Sequence, residues 1–183
     1  IATIADSASF EWDSDGSTST RATLITSAPT ASRLSLVSTP DRHLIYFGTE
    51  ATIGTTSTQD DMYIRWSDQE DINTYTPTAT NTAGTQRIAD GTRIVGAIRG
   101  RDAIYVWTDN ALFIMRFVGA PFTFSFQQVG TGCGLIGKNA AVEVDGSAYW
   151  MSDNGFFRYT GKLESLPCLV EDYVFDDLNT VPK

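Results

Sequence analysis

The chain has 183 residues, a formal net charge of −9 and a hydrophobic fraction of 42%. This composition predicts a globular protein and excludes an intrinsically disordered chain, because a disordered chain has too few apolar residues to form a core. The sequence has no cluster of Lys and Arg, which argues against a protein that grips nucleic acid through its phosphates.

No targeting signal is predicted at the start of the chain. Ile1 stands where an initiator Met would be expected, and no charged segment followed by an apolar one marks a signal peptide. No apolar run approaches the roughly 20 residues that a membrane helix needs. We therefore expect an internal piece of a longer protein, without a membrane segment.

Short predicted strands, each ended by a turn, fill most of the sequence. Arg33–Val37, Arg42–Gly48 and Met62–Trp66 are rich in strand-forming residues. Further strands are predicted at 93–98, 103–107, 112–117, 122–126, 140–144, 148–151, 156–159 and 163–166. No segment has the pattern of a long capped helix, and residues 170–178 are expected to form a helical turn or two.

Two local patterns sharpen the strand prediction. Phe122, Phe124 and Phe126 alternate with polar residues, which predicts a strand with the three rings on one face. Asp145-Gly146 lies between two predicted strands and has the composition of a tight hairpin turn.

The segment around Trp107 is repeated 43 residues later around Trp150. In both copies an aromatic strand end is followed by an Asp-Asn turn and an apolar third strand. A period of this length is typical of four-stranded propeller blades. Leu112–Phe117 is apolar on both faces, as in a blade packed between two others. We therefore predict an all-β, β-propeller-like fold of repeated four-stranded antiparallel blades, with a partial propeller in this chain.

The repeat predicts which side chains form the core and how the chain is divided into structural units. The side chains expected to be largely buried are Trp107, Phe113, Phe124, Trp150 and Phe157. The predicted units are an incomplete blade or irregular segment at 1–28, a looser blade with long loops at 29–92, regular blades at 93–130 and 131–168, and a truncated C-terminal connection at 169–183.

Two motifs suggest a bound group, but their surroundings argue against one. Gly132–Gly137 matches the glycine pattern of dinucleotide-binding loops. Another strand is predicted within about eight residues, which leaves no room for the helix that this pattern requires. Asp13–Gly16 begins like a calcium loop, yet Leu24 stands where the closing Glu is needed. Nucleotide and calcium binding are therefore not predicted.

The sequence has two cysteines, Cys133 and Cys168, and one histidine, His43. A structural zinc site needs four such ligands, and reduced thiols are the expected state of two cysteines far apart in sequence. His43 begins a predicted strand, which favours a structural role. We assign no catalytic, cofactor-binding or metal-binding residue, and predict that the protein is not an enzyme.

The most distinctive loop follows Trp66. Ser67 and Asp68 are expected to accept backbone hydrogen bonds in the turn, while Ile72 and Tyr75 fold back onto the sheet. This loop begins with Trp66-Ser67-Asp68-Gln69-Glu70-Asp71. Further strings follow in order along the chain: Val106-Trp107-Thr108-Asp109, Phe117–Phe124, Tyr149-Trp150-Met151-Ser152, Leu166-Pro167-Cys168 and Tyr173–Asp177.

From about Pro29 to Asn179, these ordered strings make the chain similar to a family of bacteriophage virion proteins. They resemble the propeller-bearing tail hub or nozzle subunits of tailed phages, of the head-to-tail and DNA-stabilisation type. The resemblance implies a homo-oligomeric ring, expected to be a hexamer, that extends and seals the DNA exit channel. Its implied partners are portal or adaptor proteins, other tail or fibre proteins, and genomic DNA that passes without specific binding.

The resemblance also implies a location in the neck or tail of the virion, assembled in the host bacterial cytoplasm. The excess of acidic residues fits a channel wall that repels DNA, although an acidic surface also keeps many proteins soluble. A receptor- or glycan-binding tail propeller is the alternative function, and a hydrolase would require a pocket with converging carboxylates.

Overall fold

The computed structural model describes residues 1–39 and 41–178, and the protein is all-β with one short helix. Within these residues the strands form four antiparallel sheets, one of three strands and three of four strands. Strands pair in chain order in every sheet, so each sheet is a simple meander. The predicted all-β class and the repeated four-stranded antiparallel sheets are therefore confirmed.

The first half of the chain forms two sheets. Sheet I contains β1 (Ala2–Thr3), β2 (Ser9–Glu11) and β3 (Thr23–Leu24). Sheet II contains β4 (Leu34–Val37), β5 (Leu44–Phe47), β6 (Tyr63–Trp66) and β7 (Gly84–Arg87). Two long loops, 48–62 and 67–83, join the strands of sheet II, and the first contains a single 3-10 turn at Thr56–Thr58.

The second half forms two more regular sheets. Sheet III contains β8 (Ile94–Arg99), β9 (Ile104–Thr108), β10 (Ala111–Gly119) and β11 (Thr123–Thr131). Sheet IV contains β12 (Ala141–Val144), β13 (Ser147–Ser152), β14 (Gly155–Tyr159) and β15 (Leu163–Leu166). Asp145 and Gly146 both have positive φ, 50° and 82°, as a two-residue type I′ hairpin requires.

Sheet III is covered on both faces. Val106, Phe113 and Met115 pack against Ile64 and Trp66 of sheet II in one apolar cluster. The intervening residues of β9 and β10 point the other way, because successive strand residues alternate between faces. They form a second cluster with sheet IV.

Two repeat-equivalent tryptophans meet in that second cluster. Trp107 lies in β9 and Trp150 in β13, each the second strand of its sheet, and their ring centroids are 5.4 Å apart. Phe157 stacks on Trp150 with centroids 5.7 Å apart. The predicted repeat therefore positions equivalent side chains at the contact between neighbouring sheets.

Sheet I covers the other face of sheet II. Ser9 of β2 is buried, and Ile25, directly after β3, packs with Leu44 and Tyr46 of β5. The Ser35 hydroxyl of β4 donates to Thr3 Oγ1 of β1 at 2.7 Å. The four sheets thus stack face to face in chain order.

Neighbouring sheets approach through their first strands. The backbone of β4 contacts that of β8, and β8 contacts β12, while β1 reaches β4 through the Thr3–Ser35 hydrogen bond. The linker that precedes β12 also packs closely on β8, because a Cβ atom built on Gly96 would lie 2.7 Å from the Leu135 side chain. The first strands therefore lie side by side in series.

The aromatic predictions are confirmed with two exceptions. Trp107, Phe113, Phe124 and Trp150 are buried, whereas Phe157 is only half-buried. Phe122 was predicted to share a strand face with Phe124, but it lies in the turn before β11 and is 77% exposed. Gly119 and Thr123, with φ of 75° and 58°, bend this turn so that the alternation begins only after Phe122.

Helix α1 (Glu171–Asp176) fulfils the predicted helical turns in the C-terminal segment. Its Phe175 packs against Phe156 of β14, with ring centroids 5.8 Å apart. The end of the predicted C-terminal connection, residues 179–183, lies outside the described residues. No helix in the described ranges is long and apolar enough to cross a membrane.

Because Trp107 and Trp150 fill the contact between sheets III and IV, Trp107→Ala or Trp150→Ala should lower the free energy of unfolding by about 3–5 kcal/mol. Urea denaturation followed by circular dichroism measures this loss. Phe122→Ala is the matched control and should leave stability within about 0.5 kcal/mol of wild type, since Phe122 is exposed. Equal stability of all three variants would contradict this packing.

Candidate functional site

The most elaborate polar site of the described residues surrounds His43. The His43 side chain is fully buried and directly precedes β5 of sheet II. Its Nδ1 lies 3.0 Å from Asp41 Oδ2, and its Nε2 lies 3.0 Å from Thr82 Oγ1. The edge of the ring meets Phe124 of sheet III, with centroids 5.1 Å apart. A hydroxyl, an imidazole and a carboxylate are thus aligned as in a hydrolytic triad.

The hydrogen bonds of Thr82 give this alignment a different role. Thr82 Oγ1 donates to Asp68 Oδ1 at 2.6 Å, and the Gln69 amide lies 3.0 Å from the same hydroxyl oxygen. A nucleophilic hydroxyl must give its proton to the imidazole, but here the proton is directed to Asp68. The arrangement therefore ties together the turn before β5 and the loop after β6.

The Thr82 carbonyl extends the same network to sheet III. Trp66 Nε1 donates to this carbonyl at 2.9 Å, and the Thr123 hydroxyl donates to it at 3.0 Å. Buried polar groups that all find partners fix one arrangement of the chain. The His43 network consequently sets how the long loop 67–83 lies between sheets II and III.

The capping role predicted in this loop is confirmed for Asp68. Its Oδ1 accepts hydrogen bonds from the backbone amides of Gln69 at 2.9 Å and Thr82 at 2.8 Å. Ser67 instead accepts from the Leu44 amide of the neighbouring strand. Hydrogen bonds from the Thr82 hydroxyl and amide lower the pKa of Asp68 below its ordinary value.

A second buried charge, Arg65 of β6, lies on the opposite face of sheet II. Its guanidinium donates to the carbonyl oxygens of Tyr75, Glu50 and Ala51, and burial lowers its pKa. The Glu50 carboxylate is itself buried and accepts from the Thr30 and Gly54 amides. Arg65 thereby anchors both long loops of sheet II.

Open clefts separate the sheets at the end that carries the β8–β9 turn. The cleft between sheets II and III has a volume of about 220 Å³, a rim with Asp41, Arg101 and Asp102, and an apolar floor that includes Phe117 and Phe124. This is smaller than the roughly 300–1,000 Å³ of drug-sized ligand pockets. The cleft is large enough for one sugar ring or one inserted side chain.

Arg101 also lines the cleft between sheets III and IV. That cleft measures about 270 Å³ and includes Arg116, Tyr105 and Tyr159. Within the described ranges, neither Arg101 nor Arg116 forms a salt bridge. Both guanidinium groups are exposed and available for polar contacts.

An apolar hairpin tip projects beside these clefts. β10 and β11 each have nine residues, more than any other described strand. Phe117, Val118 and Phe122 at their joined end are 43%, 53% and 77% exposed. Side chains of this kind commonly mark a contact surface when they lie together.

The glycine-rich segment and the calcium-like loop both have structural roles. Gly134 of the glycine-rich segment faces the Asp109–Asn110 turn so closely that a Cβ atom would lie 2.2 Å from the Asp109 carbonyl oxygen. This segment links sheets III and IV, and β12 follows it. In the calcium-like loop, Asp13 Oδ1 accepts from the Asp15 amide at 3.0 Å. Among the described residues no three carboxylate, His or Cys side chains cluster as metal ligands do.

The two cysteines are unpaired in the described part of the chain. Cys133 is buried, and burial raises the pKa of its thiol. A thiol with a raised pKa carries little thiolate at neutral pH and is a weak nucleophile.

Sequence reasoning did not identify Thr82, Arg101 or Arg65 as important side chains. Thr82 and His43 form a hydrogen bond although they are 39 residues apart in sequence. No local sequence pattern predicts such a contact. In β6, Arg65 lies between two apolar residues and points to the opposite face of the strand. It is buried only because the two long loops cover that face, and the sequence does not indicate the course of these loops. Gly100 predicts that Arg101 lies in a turn. The sequence does not predict that Arg101 lines two clefts.

No protein-family model matches this chain, and no curated protein matches it.

The lowered pKa of Asp68 predicts how stability responds to acid. The unfolded carboxylate binds a proton near pH 3.9, above the folded pKa. The stabilisation is therefore complete above that pH and is lost as the pH falls through the folded value. Asp68→Asn should cost about 1–2 kcal/mol at pH 7, and its deficit relative to wild type should shrink below about pH 4.

Urea midpoints measured from pH 7 to strongly acidic pH provide the test. Asp153→Asn is the control, because Asp153 is exposed and its carboxylate makes no hydrogen bond within the described residues. A deficit of Asp68→Asn that stays constant at all pH values would show that the carboxylate charge has no part in this network.

Proposed function

We propose that this chain belongs to a ring-forming structural subunit of the neck or tail of a tailed bacteriophage, in which its sheets form part of a β-propeller. The observation that carries the proposal is the stack of four meander sheets with their first strands in series. Radial repetition of such sheets around their first strands is the architecture of a propeller.

The strings that carry the family resemblance supply contacts between sheets. Trp66 lies in the interface of sheets II and III, and Trp107 and Trp150 meet in that of sheets III and IV. The loop 67–83, which follows Trp66, contains Asp68 and Thr82, and the Thr82 hydroxyl bonds both Asp68 and His43. These strings therefore encode the packing of the proposed propeller, and this supports a shared architecture with the phage subunits.

A structural role also agrees with the chemistry of the polar residues. His43 is enclosed with both ring nitrogens occupied, and Cys133 is buried with a raised pKa. Arg65 and Glu50 hold loops. We propose that these groups stabilise the subunit, without a catalytic role.

The proposed subunit forms a ring of six copies that extends and seals the DNA exit channel. Its neighbours are portal or adaptor proteins on one side and other tail or fibre proteins on the other. Assembly takes place in the bacterial cytoplasm and the mature ring belongs to the virion. The net charge of −9 suits a wall past which the duplex slides, because acidic groups repel the phosphates.

The decisive experiment is a cryo-EM reconstruction of the parent virion. We expect four stacked sheets with this order of strands to fit density in a ring of the neck or tail. The purified virions should also yield peptides of this sequence by mass spectrometry, after a nuclease and gradient treatment that removes free lysate proteins. Absence of the peptides from virions, or density only outside the neck and tail, would refute the proposal.

The channel-wall role makes a separate prediction about DNA. The isolated chain should not bind a fluorescent DNA duplex measurably even at about 50 mM salt, where nonspecific phosphate contacts are strong. A matched variant with three exposed carboxylates reversed, Asp102→Lys with Asp145→Lys and Asp153→Lys, should gain salt-dependent binding in fluorescence anisotropy. Tight binding by the wild-type chain would contradict the sliding-wall role and leave the structural assignment in place.

A receptor- or glycan-binding propeller is a second candidate, and the inter-sheet clefts favour it. Their combination of guanidinium, carboxylate and aromatic groups is the kind that orients a sugar ring. If this candidate is right, Arg101→Ala should lower adsorption of the phage to its host by at least about tenfold. Lys162→Ala serves as the control, since Lys162 is exposed and lines neither cleft.

A further inference from the structure

The contacts of the His43 network show where its protons lie. A carboxylate only accepts hydrogen bonds, whereas a hydroxyl donates one and can accept two. The Ser38 hydroxyl donates to Asp41 Oδ2 at 2.6 Å, and His43 Nδ1 lies 3.0 Å from the same oxygen. An imidazole is a stronger base than a carboxylate, so the proton between Asp41 and His43 belongs to the ring. Nδ1 is therefore a donor.

The other ring nitrogen, Nε2, faces Thr82 Oγ1 at 3.0 Å. The one proton of this hydroxyl goes to Asp68 Oδ1, which lies 2.6 Å away. Hydrogen bonds from the Thr82 hydroxyl and amide lower the pKa of Asp68, so this carboxyl brings no proton of its own. Turning the Thr82 proton toward His43 would leave two bare oxygens at 2.6 Å, which repel each other. Thr82 Oγ1 thus accepts from the ring, and Nε2 is a donor as well.

We infer that His43 carries both ring protons at neutral pH, as an imidazolium between Asp41 and Asp68, and that this charge is a pH-sensitive lock on the contact between sheets II and III. An imidazole that donates from both nitrogens is positively charged. Asp41 holds the charge directly, and Asp68 holds it through the Thr82 hydroxyl. The lock is a property of the fold and does not depend on the proposed function.

Burial opposes a charge on His43, because its side chain is fully enclosed. Opposite charges and hydrogen bonds to the charged form act the other way, and both ring nitrogens have an acceptor. The rings of Phe117 and Phe124 lie 5.7 and 5.1 Å from the imidazole, centroid to centroid. An aromatic ring attracts a cation within about 6 Å. Sheet III therefore also contacts the charged form favourably.

The other charged groups of the surrounding elements balance one another. Arg42, next to His43 in the chain, pairs with Glu70 on the surface. Arg101 and Asp102 of sheet III lie at the rim of the cleft that Asp41 also lines. Each of these two places contains one cation and one anion. The carboxylates bonded into the network therefore decide the charge of the ring.

Loss of one ring proton breaks the chain of hydrogen bonds. If Nδ1 keeps its proton for Asp41, Nε2 becomes a bare acceptor that faces an oxygen whose proton belongs to Asp68. His43 or Thr82 must then move apart from the other.

Thr82 passes this change to the neighbouring sheet. Its carbonyl accepts from Trp66 Nε1 of sheet II and from the Thr123 hydroxyl of sheet III. Phe117 and Phe124 of sheet III lose their contact with a cation at the same time. Loss of the proton therefore loosens the contact between sheets II and III.

The direction of the pH effect follows from the protons bound in each state. Below about pH 6.5 an unfolded histidine is protonated too, so the stabilisation is complete there, down to the range in which the carboxylates titrate. It is lost as the pH rises through the value at which folded His43 gives up its proton. The lock is therefore closed at weakly acidic and neutral pH and opens in alkaline solution.

Nitrogen NMR of the ring tests the charge directly. His43 is the one histidine of the chain, so protein made with isotope-labelled histidine and without a polyhistidine tag gives a single imidazole spectrum. At neutral pH both ring nitrogens should have the chemical shift of protonated nitrogens, and one should become bare only in alkaline solution. A bare nitrogen at neutral pH, on either side of the ring, would overturn the proposal.

Thr82→Val removes the hydroxyl between His43 and Asp68 and keeps the shape of the side chain. It should lower the pH at which His43 loses its proton by at least about one unit, and Thr82→Ser should restore the wild-type titration. Thr49→Val is the matched control, because Thr49 is buried and its hydroxyl donates to the Ala31 carbonyl, outside the network. A Thr82→Val protein that titrates like the wild type would contradict the assigned hydrogen bond.

Urea midpoints give a second measurement. The advantage of the wild type over Thr82→Val should shrink as the pH rises from weakly acidic to alkaline, because the wild type keeps its proton to higher pH. Taking the difference removes the contribution of other titrating groups, which both proteins share. An advantage that is the same at every pH would show that no proton is linked to this contact.

The indole N–H of Trp66 reports on the lock itself, because it donates to the Thr82 carbonyl at 2.9 Å. Its NMR signal should move along the same titration curve as the ring of His43. The indole of Trp150 donates to the Cys133 carbonyl and should stay constant as the control. A Trp66 signal that ignores the titration would leave His43 charged but uncoupled and would overturn the lock. The virion experiment is independent of either outcome.

Discussion

Burial of both faces of sheet III is the constraint on which the rest of the structure depends. All five residues of β9 and the first five of β10 are buried. A sheet with two apolar faces is stable in water only between two other layers. The preceding and following segments therefore have to supply a sheet each, and their second and third strands bring the matching apolar rows.

Because these layers are in close contact, some positions accept only one kind of side chain. Gly134 touches the backbone of the Asp109–Asn110 turn, where any side chain would displace the linker between sheets III and IV. Trp150 Nε1 donates to the Cys133 carbonyl of the same linker at 2.8 Å. Trp107 Nε1, deeper in the interface, has no partner in the described residues. Such a buried donor costs about 1–3 kcal/mol, which the apolar contacts of the indole ring must exceed.

The sequence reveals sheets III and IV far better than sheets I and II. Between Arg93 and Leu166, apolar strands and the Asp145-Gly146 turn follow one another at short intervals, so local pattern and tertiary structure agree. For sheet I only an incomplete blade or irregular segment at 1–28 was predicted, without individual strands, because these strands have only two or three residues and include several Ser and Thr. The His43 network could not be predicted either, since it joins side chains from three separate segments and depends on tertiary contacts.

Sheet II shows how the loops are used. Arg65 on one face donates to carbonyl oxygens of both loops, 48–62 and 67–83. On the other face, His43 bonds to Thr82 of loop 67–83. Removing either loop would leave a buried charge without its carbonyl partners, which is strongly destabilising. In many folds such long loops carry the binding residues. Here they cover the two faces of sheet II and bond its buried polar side chains. The exposed surface outside these loops includes the short turn around Arg101 and the β10–β11 hairpin tip.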